Sequence, residues 1–502
     1  MSVQRVLPSN TEWPLFDAAH TQRIEERERA GLPPHTLMAR AGEAVARLAL
    51  AIAPHGQRVW VAAGPGNNGG DGLEAAAHLC RAGRQVMVTL LGDAGALPED
   101  AREALARAHA AGVQVIEGLG AAVLSGHDIA IDALLGIGAT RPPHGPIADA
   151  IRRLNALACP VLAVDLPSGL HPGTGQAIGD ECMNATHTLA LLTLKPGLFT
   201  GSGRDHAGTM WFEALGVDAS ADEPEAWLSA SEPERSAGVA RRHAQHKGSF
   251  GDVAVVGGAS GMAGAALIAA RAAHASGAGR VFIELLDEST ASMPVDPSRP
   301  ELMFRHGWTR SATAAQAQTT VVCGCGGGEA VRAPLPRLLS VSARLVLDAD
   351  ALNAIAADAT LETLLRARAL RQAGTVLTPH PLEAARLLGC TTAEVQADRL
   401  VAARTLADRF QCVVVLKGSG SVVAAPTVTP RINASGNASL ATAGTGDVLA
   451  GWLGGRWAQR PADSAFGVAV QAVAEHGAAA HLRARGPLRA GDLIEALHQR
   501  LG

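Results

Sequence analysis

Tyrosine is absent from this 502-residue chain, and lysine nearly so: Lys195, Lys247 and Lys417 are the only three, so almost all of the positive charge is arginine. With so few lysines, each position is worth locating. The 43 basic residues face 47 acidic ones for a net charge of −4, and no basic run with interleaved aromatics occurs. That excludes a general nucleic-acid binder. No stretch approaches the roughly 20 apolar residues that span a bilayer. The N-terminal segment carries Glu12 and Asp17 and lacks an apolar core, so no signal peptide is expected. No C-x-x-C pair occurs either: the cysteines are Cys80, Cys159, Cys182, Cys323, Cys325, Cys390 and Cys412, an odd number set mostly in apolar text. They read as reduced core residues of a soluble, cytoplasmic protein. Cys323-Gly-Cys325 has no His or Cys partners at metal-ligand spacing.

The length predicts more than one domain. Helical spacing occupies residues 21–53, and from Val59 short apolar runs alternate with helical segments through VQVIEG, DIAIDALLGIG, PIADAIRRLNALA and PVLAVDLPSG, closing near residue 217. Residues 218–239 turn acidic and rich in Ala, Ser and Pro, a linker composition. A second alternation, GDVAVVGGAS through QCVVVLKGSGSVVAA, fills residues 240–502 and ends in helical text. The expected fold is α/β, with two tandem domains of parallel βαβ units, 1–217 and 240–502.

The stretch Asn437 to Gly451, NASLATAGTGDVLAG, packs a glycine turn and a carboxylate against a helix start. Its backbone N–H groups would hold an anion, and Asp447 would stand beside a bound phosphate as a proton acceptor. A capped helix start would leave the same text. Elsewhere in this half, Lys417-Gly-Ser-Gly-Ser421 ends a buried strand, where a lysine can reach phosphates or merely sit exposed. His380 lies between two prolines at a strand end, structural or aimed at a ligand. Gly324 to Gly328, and the small residues around Ala263, allow close approach of a ligand or tight packing of helix on strand.

In the first half, Gly64, Gly66 and Gly69 fit G-x-G-x-x-G between a strand and a helix, the context of a dinucleotide fingerprint. The cluster Asn67-Asn68-Gly69-Gly70-Asp71 departs from a plain pyrophosphate loop: amide oxygens with a carboxylate suit a hard cation or a sugar. Asp132 and Asp165-Leu-Pro-Ser168 end two further strands, and strand ends of an open parallel sheet line one crevice. Taken singly, either aspartate could be a cap.

GPGNNGGDG, DALLGIG and DLPSG resemble the NAD(P)H-hydrate epimerase domain over residues 20–215. HKGSFG, GMAGA, LDADALN, TPHPLE, KGSGS and NASLATAGTGD resemble the ribokinase-like NAD(P)H-hydrate dehydratase over residues 240–500. The first resemblance implies a Rossmann-like three-layer domain with a potassium site at Asn68, Asp132 and Ser168. It implies hydrate binding by Asn67, Asn68, Gly69, Gly70 and Asp71 and by Gly136, Ile137, Gly138, Ala139, Thr140, Arg141 and Pro142, with Asp165 as substrate contact and acid/base. The second implies nucleotide binding by Lys417, Gly418, Ser419, Gly420, Ser421 and Gly446, and hydrate contacts from Ala263, one of Gly326 or Gly328, His380 and catalytic Asp447. Ser421 stands where threonine is usual, and Cys325-Gly-Gly replaces the more usual Pro-Gly-Leu-Gly, which leaves the glycine open. Lys195 stays open between a structural lysine and a substrate contact. The implied co-substrates are the NADH and NADPH hydrates with ADP and magnesium, in a homo-oligomer without nucleic-acid or membrane partners. A ribokinase-type sugar or vitamin kinase fused to a dinucleotide-binding module is the competing reading. A non-catalytic scaffold is disfavoured by the joint presence of Asn68, Asp132, Asp165 and Ser168.

Overall fold

The computed structural model describes residues 3–118, 123–231, 241–286, 295–481 and 486–501. It divides into two compact units, Met1–Pro8 with Trp13–Ala226, and Ser9–Glu12 with Trp227–Gly502.

The first unit is built on an 8-stranded sheet. Its strands are β1 (Gln4–Arg5), β2 (Arg58–Ala63), β3 (Gln85–Leu90), β4 (Gln114–Glu117), β5 (Ile129–Ala133), β6 (Val161–Val164), β7 (His187–Leu191) and β8 (Thr209–Glu213). They lie in the order β1-β8-β7-β6-β5-β2-β3-β4, parallel except for β1 against β8. Helices α1 (Ala18–Arg29), α2 (Thr36–Ile52), α3 (Asn67–Arg81), α4 (Glu99–Ala110) and α5 (Gly145–Asn155) accompany the strands. Along β2 the side chains alternate between two cores. Val59, Val61 and Ala63 pack with Leu73, Ala76 and Leu79 of α3, while Trp60 and Ala62 pack with Ala150, Ile151 and Leu154 of α5. Burial on both faces is why this strand is an unbroken apolar run in sequence. Winding reverses between β2 and β5, which creates the crevice where such folds bind ligands. Gly69 allows α3 to start beside β2: a Cβ there would stand 2.0 Å from the Gly64 carbonyl oxygen.

In the second unit the strands are β9 (Ala226–Leu228), β10 (Asp252–Gly257), β11 (Arg280–Leu285), β12 (Met303–Phe304), β13 (Thr320–Cys323), β14 (Arg344–Leu347), β15 (Gly374–Leu377), β16 (Val413–Leu416), β17 (Val422–Ala425) and β18 (Val428–Ile432). Their order is β12-β11-β10-β13-β14-β15-β16-β17-β18-β9. Pairing is parallel up to β16, and the β16–β17 and β17–β18 pairs are antiparallel. The winding reversal falls between β10 and β13. The helices that matter for the site are α6 (Ala263–Ala275), α7 (Pro381–Leu388), α8 (Thr445–Gln459) and α9 (Ala465–Ala480). Helix α8 is buried almost all round, with Trp452 and Trp457 in the core and Gly451 against the backbone of Ala269 in α6. Its polar interior is satisfied, because Glu475 of α9 accepts from Trp452 Nε1 at 2.6 Å and from Arg456 at 3.2 Å.

The linker text is not wholly unstructured. Residues 226–228, with the apolar Trp227 and Leu228, form β9 and pair in parallel with Arg431 and Ile432, whereas 232–240 lie outside the described residues. Thr392–Ala397 and Arg399–Phe410, which the sequence reading did not separate out, are helices. Among the described residues no helix is long and apolar enough to cross a membrane.

Candidate active sites

At the β2–β5 reversal lies a cavity of about 460 Å³. The loops after β2, β5 and β6 line it, as the strand-end argument requires, with Asn67, Asn68, Asp71, Gly136 to Ala139 and Asp165 in its wall. Helix α1 adds Glu25 and Arg29, and α4 adds Asp100. Gly69 and Gly70 are buried packing residues instead, Gly70 against Met38 and Ala101. Thr140, Arg141 and Pro142 are exposed and do not line the cavity.

Asp132 is fully buried below this wall. Its carboxylate accepts from Ser168 Oγ at 2.6 Å, Ser168 N at 2.8 Å and Leu134 N at 3.2 Å. Burial pushes its pKa up to about 6, and those hydrogen bonds limit the rise. It forms no ion pair among the described residues, and Asn68 Nδ2 nearby is buried without a hydrogen-bond partner. The Asp132 carboxylate, with no cation beside it, and the Ser168 hydroxyl are oxygen ligands of the kind a hard cation takes, whereas the unpartnered Asn68 atom is an N–H donor that calls for an acceptor.

Asp165 has φ of +66°, a conformation uncommon for a residue with a side chain and one that marks a constrained position. Its Oδ1 accepts from Leu191 N at 3.1 Å and pairs with Lys195 Nζ. Lys195 is fully buried and spends its other donors on the Leu191 and Thr193 carbonyls, both at 2.9 Å. The question left open by the sequence is thereby answered: Lys195 anchors Asp165, and all three of its donors are engaged by the protein. Asp71, by contrast, makes no hydrogen bond or ion pair among the described residues. Burial pushes its pKa well up, and the charges of Asp165, Glu25, Asp100 and Glu74 add to the rise.

In the second unit, Gly444 at φ +90° opens α8, and Asp447 lies in its first turn. Ligand atoms of Cys325, Asp348 and Asp447 lie within 4.8 Å of one another. Lys417 Nζ donates to Asp348 Oδ1 at 2.7 Å, and Thr378 Oγ1 donates to the same oxygen at 2.9 Å. Burial and then the Asp348 charge raise the Asp447 pKa to about 6, with Cys325 and Lys417 working the other way. Burial works against the Lys417 ammonium, but Asp348 and Glu383 outweigh it and its pKa is raised. The Cys325 thiol is pushed well up, first by burial and then by Asp447 and Asp348.

A Cβ on Gly446 would stand 3.2 Å from Lys417 Nζ, so the start of α8 and the end of β16 face one another. The N-terminus of this 15-residue helix presents unpaired backbone N–H groups of the kind that favour an anion, with an ammonium beside it. Thr445 Oγ1 fixes the turn by donating to the Leu440 and Thr442 carbonyls at 2.8 and 2.9 Å. Buried His476 meets the Thr445 carbonyl through Nε2 at 2.9 Å, and burial lowers its pKa to about 4, so it adds no charge at neutral pH. Residues Lys417 to Ser421 form the β16–β17 hairpin loop. Ser421 Oγ donates to the Gly418 carbonyl at 3.1 Å, Ser419 is exposed and Gly420 is buried. Arg399, which sequence reasoning missed, lies buried under this loop and donates to the Leu416 and Lys417 carbonyls at 3.2 and 3.1 Å.

His380 caps α7: its Nδ1 accepts from Leu382 N at 3.1 Å, and its Nε2 lies 3.1 Å from Glu383 Oε1. Glu383 is buried, which raises its pKa, yet the His380 hydrogen bond and the Lys417 charge outweigh that and leave it lowered. Gly326 and Gly328 both flank the residues leading into Ala263. A Cβ on Gly326 would come within 2.6 Å of the Met262 carbonyl, and one on Gly328 within 3.2 Å of Ala259 Cβ and Met262 Cε. Asp348 and Glu383 are further members that sequence reasoning did not single out, although LDADALN and TPHPLE contain them.

Two α/β units, each with acidic groups gathered at a winding reversal, define a two-site enzyme. Residues 34–197 match the family model described as YjeF-related protein N-terminus, and residues 253–500 match that described as NAD(P)H-hydrate dehydratase. The Bifunctional NAD(P)H-hydrate repair enzyme of Escherichia coli K12 is 35% identical over 98% of this chain and 94% of its own. That of Leishmania braziliensis is 36% identical over 87% and 84%. Among solved structures, an ADP/ATP-dependent NAD(P)H-hydrate dehydratase from Bacillus subtilis, co-crystallized with ATP/Mg2+, is 30% identical, with a TM-score of 0.44 over 54% of this chain and 95% of that one. The chain belongs to the bifunctional NAD(P)H-hydrate repair enzyme family.

Proposed function

We propose that the first unit interconverts the R and S hydrates of NADH and NADPH at C6, and that the second dehydrates the S form at the expense of ADP. The observation that carries the dehydratase half is the juxtaposition of Asp447, Lys417 and the start of α8. C6 of the hydrate bears a hydroxyl beside the ring nitrogen. Hydroxide leaves poorly, whereas a phosphorylated hydroxyl leaves as phosphate, pushed out by the nitrogen lone pair, and the dihydropyridine is restored. Asp447 takes the hydroxyl proton as oxygen attacks the terminal phosphoryl group, while Lys417 and the first-turn amides of α8 hold the developing charge. Lys417 to Ser421 and Gly446 cradle the nucleotide, and Ala263, Gly326 or Gly328, and His380 hold the hydrate. Magnesium, held through Asp348 or Asp447 together with nucleotide phosphates, would neutralise phosphate charge. A set of one or two carboxylates plus phosphates suits that ion, although the Cys325 thiol beside them does not.

In the first unit the hydrate occupies the cavity, Asp165 moves the proton as the C6 hydroxyl is reversibly lost, and Lys195 fixes its carboxylate. Potassium held by Asn68, Asp132 and Ser168 would supply positive charge under the cavity wall. A kinase that releases a stable phosphate ester shares the second unit's fold but not the activity in the relatives' names. The free thiols of the seven cysteines suit a reducing, cytoplasmic setting, and we retain a homo-oligomer as the expected assembly.

The test is to incubate mixed R and S hydrates with ADP and follow the return of NADH absorbance. Complete recovery is expected. Recovery that stops at the S fraction removes the epimerase, and no recovery removes both activities.

A further inference from the structure

Two carboxyl groups, Asp71 and Asp165, share the wall of the first cavity, and their surroundings are opposite. Asp165 is clamped by Lys195 and by the Leu191 amide. Asp71, projecting from the first turns of α3, touches no hydrogen-bond donor and no cation among the described residues, although it lies in the same wall as Asn67 and Asn68. Part-exposed to the cavity and tied to no protein partner there, such a side chain is open to a ligand rather than spent on the fold.

We infer that Asp71 is the proton donor to the departing C6 hydroxyl, working with Asp165 as the paired base. The inference rests on the epimerase reading above and adds a residue role to it. In the forward step the C6–O bond breaks as the N1 lone pair forms the N1=C6 iminium, and the oxygen leaves as water with the Asp71 proton. Water then adds to the other face of C6, and Asp165 accepts its proton. Proton return from Asp165 to Asp71 through the cavity solvent restores the starting state, so no oxidant or reductant is needed. In the reverse direction the two carboxyl groups exchange roles.

The charges around Asp71 agree with this division. Burial favours its protonated form first, and the charges of Asp165, Glu25 from α1, Asp100 from α4 and Glu74 from its own helix add to that. The cations in the cavity wall are Arg29 and Lys195, and the second is committed to Asp165. A carboxyl group kept protonated by its surroundings, sharing a cavity with a second that is clamped by a lysine and a backbone amide, suits an acid and a base in one site.

The experiment uses the full-length chain without ADP, starting from the purified S hydrate in H₂¹⁸O, with R formation followed by chromatography and label by mass spectrometry. The wild type is expected to incorporate ¹⁸O at C6 with inversion, and its kcat to fall as pH rises through the raised Asp71 pKa. Asp71→Asn should lower kcat by about 100-fold or more with little change in KM, and should abolish the alkaline fall. Asp71→Glu should restore part of the rate with the alkaline fall displaced, and it serves as the test variant if the asparagine form does not fold. An Asp71→Asn enzyme within about threefold of the wild-type kcat, or one altered in KM alone, overturns the proposal. So does inversion without label, or an alkaline fall unchanged in both variants. A wild type that does not invert the hydrate at all overturns the epimerase reading itself.

Discussion

Lys417 Nζ lies 2.7 Å from Asp348 Oδ1, while Asp348 is itself close enough to Asp447 to raise that residue's proton affinity. One buried carboxylate therefore bears on both the position of the Lys417 ammonium and the proton affinity of Asp447.

In the proposed role Asp447 is a base in its charged form, so dehydration should be lost as pH falls through its folded pKa of about 6. The kcat/KM profile of dehydration should show an acid limb near that value. Asp348→Asn removes a like charge and should move the limb to lower pH, with a rise in nucleotide KM from the freed Lys417.

Asp447→Asn should lower dehydration by about 100-fold or more, in the range expected for removal of a general base. Inversion of the hydrate by the same protein should persist. Parallel assays with and without ADP check both statements.

Lys195→Met leaves the Asp165 carboxylate without its cation and takes the Lys195 donor from the Thr193 carbonyl, while the Leu191 carbonyl keeps the Thr193 amide at 2.7 Å. Breaking one side of a buried pair typically costs about 3–5 kcal/mol, and denaturant unfolding should register a loss of that order in the first unit. Inversion should be lost together with the stability.

Asp132 has a folded pKa raised to about 6 from an ordinary carboxylate value. Its charged form is the disfavoured one, so without a cation it contributes a stability loss that sets in as pH rises from about 4 to 6 and is complete above that. Potassium should raise the Tm at pH 8 more than at pH 4.5, and Ser168→Ala should weaken that dependence. Thermal melts in potassium and choline salts give the comparison.

The strand-and-helix alternation was legible because β2, β5, β6, β10 and β13–β16 are buried on both faces and appear as apolar runs. The loops holding Asn68, Asp165, Lys417 and Asp447 were legible because glycine and asparagine text interrupts those runs. Chain text gave no means of ranking residues within such a loop. Gly69 and Gly70 share a block with Asn67 and Asn68, yet packing against Gly64 and Met38 takes them out of the wall. Asp348, Glu383 and Arg399 gain their importance from partners far along the chain, Lys417 above all, and no local spacing announces that. Strand β9 was hidden because its apolar Trp227 and Leu228 are too few to stand out in acidic text.

The hairpin between β16 and β17 ends the run of parallel pairs that reaches β16, and both ends of the Lys417–Ser421 loop are tied to paired strands. The protein itself braces the loop, through Arg399 on the Leu416 and Lys417 carbonyls and Ser421 Oγ on the Gly418 carbonyl. On the proposed nucleotide-binding role, association calls for little loop ordering, so it should proceed with a small entropic penalty and without a slow closing phase. Such a loop is a preformed mould.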